Sequence, residues 1–222
     1  MFKNQNRLAS IRRVAAWSSG AVILAWVSAA AVMTMQGPST FTIDAANSRV
    51  LIEVGRSGMF GFAGHDHEVL APAVTGQVTF DPGDWPRSSV SLHFDASALK
   101  VTGKGDPPSD VPKVQSVMLG EQVLDVRRFQ TVAFKSRRVS ATPRTPNTVD
   151  LVIDGELTLH GKTRPMVIRA LTTLEPDGMT ARGAFAIRQT DFGMTPVTAG
   201  GGTVRVKDEV QVQFDLKARR AS

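Results

Sequence analysis

Residues 149–172, VDLVIDGELTLHGKTRPMVIRALT, constrain this chain more than any other stretch. Val149, Leu151, Ile153, Leu157 and Leu159 alternate with Asp150, Asp154, Glu156, Thr158 and His160. A period of two puts an apolar row on one face and a polar row on the other, as in a half-buried strand. Val152 breaks the alternation, and Gly155 leaves its place in the apolar row without a side chain. After His160, the link 161–165 (GKTRP) leads into a second extended run, 166–171. Two such runs with a short Gly-containing link predict an antiparallel hairpin. A glycine inside a strand marks a bend or a close backbone approach, as the corners of a barrel require. The apolar row faces either a lumen or a packed sandwich core, and the pattern alone fits both.

Similar patterning recurs along the chain. Short extended pieces are expected at 41–44 and 49–54, then at 75–80 and 90–94 around the turn cluster Asp81-Pro82-Gly83-Asp84. Further strands are expected at 131–139, 179–189 and 204–216, with a loop at 143–147. Residues 101–112 lack periodicity and are rich in Gly, Pro and Asp, which predicts a loop. A helix is expected over 113–124, where Val114, Val117 and Met118 recur at helical spacing and Asp110 is a candidate N-cap. Many strands, one helix and no βαβ rhythm argue an antiparallel sandwich or barrel.

The sequence pI of about 10.2 invites a nucleic-acid reading, but the charge is unevenly placed. Lys3, Arg7, Arg12 and Arg13 are the only charges before Asp44, which leaves 22 basic against 20 acidic residues beyond position 40. No basic stripe interleaved with aromatics remains, so nucleic acid is excluded as a partner. The basic start precedes a charge-free run, 14–43, with the apolar centre AVILAWVSAAAVM. That order reads as a secretory signal peptide. It is also long enough for a spanning helix of about 20 residues, so an uncleaved membrane anchor stays open. Residues 1–40 are therefore the leader, 41–217 the exported domain and 218–222 a basic tail. The domain is expected in the periplasm or elsewhere outside the cytoplasm, held at the inner membrane if the leader persists.

Nothing points to nucleophilic catalysis, and no cofactor is implied. The chain has no cysteine and no G-x-S-x-G elbow, and Gly200-Gly201-Gly202 lacks the Lys-Ser/Thr ending of a phosphate loop. The sharpest polar cluster is Gly64-His65-Asp66-His67-Glu68. In extended chain His65 and His67 share a face, where they could hold a metal ion given a third ligand, or contact the polar head of a ligand. The third reading is a structural one, with backbone bonds closing a loop or the rings solvated at a barrel rim. His160 is the one other candidate ligand.

Eleven Phe, three Trp and no Tyr make up the aromatic inventory, and Trp17 and Trp26 fall in the leader. A lumen built from such a domain is aliphatic and Phe-lined, better suited to an alkyl or prenyl chain than to a sugar. A solid core of the same side chains is the alternative.

The run DGELTLHGKTRP, residues 154–165, resembles the signature hairpin of the YceI-like family of polyisoprenoid-binding, lipocalin-like periplasmic proteins. Phe41, Ile43, Asp44 and Ser48 resemble the family's opening, and Phe134 and Ser136 its x-x-F-x-S strand. Leu119, Val123 and Leu124 stand where the family has His-Leu and Phe-Phe, and Gln130 replaces its usual Pro. The resemblance implies an all-β fold, an antiparallel eight-stranded lipocalin-like barrel with a short helix. It implies no catalytic activity, and an isoprenoid or similar long-chain lipid as partner. Candidate ligand-binding residues are Phe60, Phe62, His65, His67, Phe80, Phe94, Phe134, Leu157, Leu159, Phe185 and Phe214. A homodimer is left open.

Overall fold

The computed structural model describes residues 37–57, 66–72, 74–199 and 204–221. Its strands are β1 (Ser39–Ile43), β2 (Arg49–Val54), β3 (Arg56–Ser57), β4 (His67–Ala71), β5 (Thr75–Phe80), β6 (Ser89–Asp95) and β7 (Lys100–Val101). After helix α1 (Val111–Leu119) come β8 (Thr131–Thr145), β9 (Thr148–Leu159), β10 (Lys162–Glu175) and β11 (Gly178–Arg188). The chain closes with β12 (Thr198–Ala199), β13 (Val204–Val206) and β14 (Glu209–Arg220).

Eight antiparallel strands form a ring in the order β1-β5-β6-β8-β9-β10-β11-β14, and β14 returns to β1. Closure rests on Phe41 opposite Arg220 and Ile43 opposite Ala218. Past a short 3₁₀ turn, β2 continues along the same edge of β14, with Val50 opposite Phe214. β4 and β7 extend the wall beyond β2. The expected closed barrel is therefore present, with a small second sheet, β12-β13-β3, beside it.

The central hairpin shows how the local sequence sets the wall. In β9 buried and half-buried residues alternate without a break from Thr148 to Leu159, so Val152 stays on the outer row despite its apolar side chain. The turn is tighter than the expected five-residue link. Leu159 pairs with Lys162, leaving only His160 (φ 50°) and Gly161 (φ 68°) between the strands. Positive φ at both centres is the type I′ geometry whose twist matches a hairpin. His160 pays little for its unusual backbone because Nδ1 lies 3.1 Å from the carbonyl oxygen of Phe192 and its ring meets Phe129 edge-on at 4.6 Å. Pro165 falls inside β10, at a level where β10 pairs with β9 alone. The β10–β11 ladder covers only 171–175 against 178–182. A residue without an N–H is tolerated where one strand edge is free.

Other boundaries shift for identifiable reasons. β8 runs on to Thr145, through the expected loop, because a bulge between Pro143 and Thr145 absorbs the proline. α1 starts at Val111 and stops at Leu119 rather than reaching residue 124; Gly120 adopts extended backbone and its N–H closes the helix on Val117. Asp110 precedes the helix, but its side chain makes no capping bond. The expected strand 204–216 is split in two at Lys207-Asp208. Asp208 accepts bonds from the Thr190 N–H (2.8 Å) and hydroxyl (2.7 Å), and Gln189 Nε2 donates to the Lys207 carbonyl. Ala218, Arg219 and Arg220, expected in a tail, belong to β14, where Arg219 also pairs with Asp44.

The inward rows of all eight barrel strands meet in one apolar cluster that includes Phe41, Val74, Phe80, Phe134, Val139 and Leu157. At the hairpin end, where the 146–147 and 176–177 turns lie, Trp85 packs edge-on against Phe80 at 5.2 Å between centroids. α1 and the segment after it, including Met118, Val123 and Leu124, pack on the opposite, helix end.

Candidate functional site

The cluster does not fill the barrel. A cavity of about 240 Å³ runs through it, lined from every strand of the ring. Phe80, Phe94, Phe134, Leu157, Leu159, Phe185 and Phe214 all line it, as the alternation of their strands requires. Of the alternatives left open by sequence, a lumen or a solid core, the structure has the lumen. Phe60, Phe62 and His65 lie outside the described residues.

Two glycines on inward rows shape this space. Phenyl rings lie against the wall at Gly155 and Gly183, with Phe134 over the first and Phe214 over the second. Phe185 and Phe214 then tilt toward each other with centroids 6.3 Å apart. Lying against the wall, rings narrow the lumen less than rings standing across it. Phe185 and Ile187 also back a groove on the outer surface, where β10 and β11 part company, rimmed by Arg164, Arg169, Arg188, Asp191 and Glu209.

Among the described residues the lining carries no ionisable side chain. Its polar members are Thr172 and Gln189, neither of which was among the candidates from sequence. Thr172 continues the inward row Met166, Ile168, Ala170, so the period-two pattern could have found it one step further on. Gln189 ends the expected strand 179–189 on the row of Phe185 and Ile187, so the same pattern reaches it, although in the structure it begins a 3₁₀ turn.

His67 is not part of the lining. Its Nδ1 lies 2.9 Å from the Asp106 carboxylate, whose side chain is only 1% exposed. Beside it Glu68 accepts bonds from Lys104 Nζ (2.9 Å) and the Thr102 hydroxyl (3.1 Å). The Lys104 hydrogen bond holds the Glu68 carboxyl below its ordinary value of 4.5, against an opposing push from burial. These contacts fasten the loop after β7 onto β4. Asp66, on the opposite face of the chain, accepts the Arg56 N–H at 3.1 Å. Among the described residues no three His, Cys, Asp or Glu side chains gather as metal ligands.

A closed antiparallel β-barrel around an apolar lumen defines the class of lipocalin-like barrels. A YceI-like domain model matches residues 41–218. The chain belongs to the YceI-like family. Among solved structures it is similar to Burkholderia cenocepacia BcnA, at 21% identity and TM-score 0.61, covering 79% of this chain and 98% of that one. It is also similar to a polyisoprenoid binding domain from Saccharophagus degradans implicated in plant cell wall breakdown. There the identity is 10% and the TM-score 0.59, over 82% of this chain and 98% of that one. Both likenesses are of fold. No match was found among the curated proteins.

Proposed function

We propose that the chain is an exported lipid-binding protein that takes an isoprenoid or similar amphipathic chain out of water into the barrel. The observation that carries this reading is a lumen lined, among the described residues, without one ionisable group. Such a space rewards hydrocarbon at about 0.8 kcal/mol per buried CH₂ and penalises any charge brought inside. The polyisoprenoid binding named for the Saccharophagus domain supports the same ligand class. At about 240 Å³ the lumen is slightly below the usual range of roughly 300–1,000 Å³ for ligand pockets. A long prenyl chain therefore needs side chains to give way, and the flexible Met118 and Met194 in the lining are suited to it. The protein's role is sequestration or carriage, without catalysis.

Export rests on the leader, whose residues 1–36 lie outside the described ones; among the described residues no helix is long and apolar enough to cross a membrane. A metal site on His65 and His67 is the less favoured reading, since the polyisoprenoid binding named for the Saccharophagus domain supports a lipid.

Native mass spectrometry of the full chain purified from cells tests the reading. The expected spectrum shows added lipid mass, retained in a His65→Ala/His67→Ala double variant and lost in Phe134→Asp. A stoichiometric metal ion in the wild type that disappears in the double variant would overturn it.

A further inference from the structure

The β10–β11 ladder stops at Leu171 opposite Arg182, although both strands continue. They are still close at Gly183, where the Arg169 carbonyl oxygen takes the place a Cβ would need. The next tie is Arg164, whose Nε donates to the Asp191 carbonyl at 2.9 Å. Between these two points the barrel wall is made of side chains and not of main-chain hydrogen bonds. Phe185 and Ile187, both half-buried, line the lumen on one side and the outer groove on the other. Met166 lines the same groove and packs against the apolar cluster. On the lip stands Val167, 53% exposed. Hydrogen-bonded strands must separate to let a chain through, whereas half-buried side chains clear a path by changing rotamer.

We infer that this slot is a side portal through which an amphipathic lipid enters the lumen tail first, leaving an anionic head outside on the arginine rim. This deepens the lipid-binding reading and rests on it. The lining sets the order of entry, since a charged head drawn inside would be buried with no counter-charge. Such a lipid keeps its head at an opening, and this opening carries Arg164, Arg169 and Arg188 against Asp191 and Glu209. The rim is thus net positive, and among the described residues none of its arginines is in an ion pair. Guanidinium groups match the oxygens of an anionic head, while a neutral head draws little from them.

The test has two arms, both on the full-length protein with farnesyl phosphate and farnesol as probes of equal chain. Carrying the Leu171–Arg182 register four residues on sets Val167 opposite Ala186 across the slot, both exposed. The chain has no cysteine of its own, so a Val167→Cys/Ala186→Cys variant can be bridged there by a short bifunctional thiol reagent. Bridging should slow uptake and release of both probes about tenfold or more against the same variant with each thiol capped singly, since bound side chains can no longer part. In the second arm, at low ionic strength, Arg169→Gln/Arg188→Gln should weaken farnesyl phosphate about fivefold and leave farnesol unchanged. Equal exchange rates in bridged and capped protein would place entry at an end of the barrel. A phosphate-to-alcohol affinity ratio unchanged by the arginine substitutions would deny the head its place on the rim. Either result overturns the inference and leaves lipid binding intact. If neither probe binds the wild type, the lumen reading fails and this inference with it.

Discussion

The ring of Phe134 occupies the space that a side chain at residue 155 would need. A Cβ built on Gly155 would stand 2.6 Å from the Phe134 Cζ and 2.6 Å from the Lys135 carbonyl oxygen. Gly183 and Phe214 repeat the arrangement across β11 and β14, at 2.5 Å. Gly155→Ala should therefore push the ring into the lumen and strain the β8–β9 ladder. Overpacking of this kind costs about 1–3 kcal/mol. Chemical denaturation would measure it, and an unchanged midpoint would show that the ring does not rest on residue 155.

Gly161 holds the second positive-φ place of the central turn, and a Cβ there would meet the Phe129 ring at 2.4 Å. Gly161→Val should lower stability by about 1 kcal/mol or more, since the β-branched residue meets both obstacles. Gly161→Asn, better tolerated at positive φ, should lose less. Equal losses for the two would mean that contact with Phe129 decides, and the backbone does not.

The Glu68–Lys104 contact gives stability a pH dependence. The folded carboxyl titrates below its ordinary 4.5, so it binds protons less readily than in the unfolded chain. Its contribution is complete above about pH 4.5 and disappears as pH falls through the lower folded value. The difference in Tm between wild type and Lys104→Ala should be largest near neutrality and shrink toward pH 3. A difference constant across that range would remove Glu68 from the account.

His67 and Asp106 form a pair in which the carboxylate is the buried partner. His67→Ala should cost about 1–3 kcal/mol, much of it from leaving Asp106 unpaired. Adding Asp106→Ala should then return part of the loss. Strict additivity of the two substitutions in urea melts would deny the coupling.

The barrel was legible because its strands keep a period of two with few breaks, and Phe134, Leu157 and Phe214 announce their inward direction through their neighbours. The lumen itself was not legible. Whether inward side chains meet or leave a gap depends on strand tilt and on where rings can lie flat, which no single strand encodes. Thr172 escaped notice because a lone threonine in an apolar row looks like ordinary strand composition. The partner of His67 could not be foreseen either, because Asp106 is distant in sequence. The break at Lys207-Asp208 was invisible for the same reason, since it answers to Gln189 and Thr190.

Closing the ring between Phe41 and Arg220 also has a kinetic consequence. The first and last strands of the domain are neighbours, so the wall cannot be completed until nearly the whole chain is available. This is the most distant strand pairing among the described residues, and loop-closure entropy must be overcome before it returns any contact energy. High contact order of this kind makes for slow folding. Until β14 arrives, β1 has an unpaired edge and the apolar rows lie open to other chains. A chain cut short before residue 209 would keep every hairpin up to β11 and still have no inside.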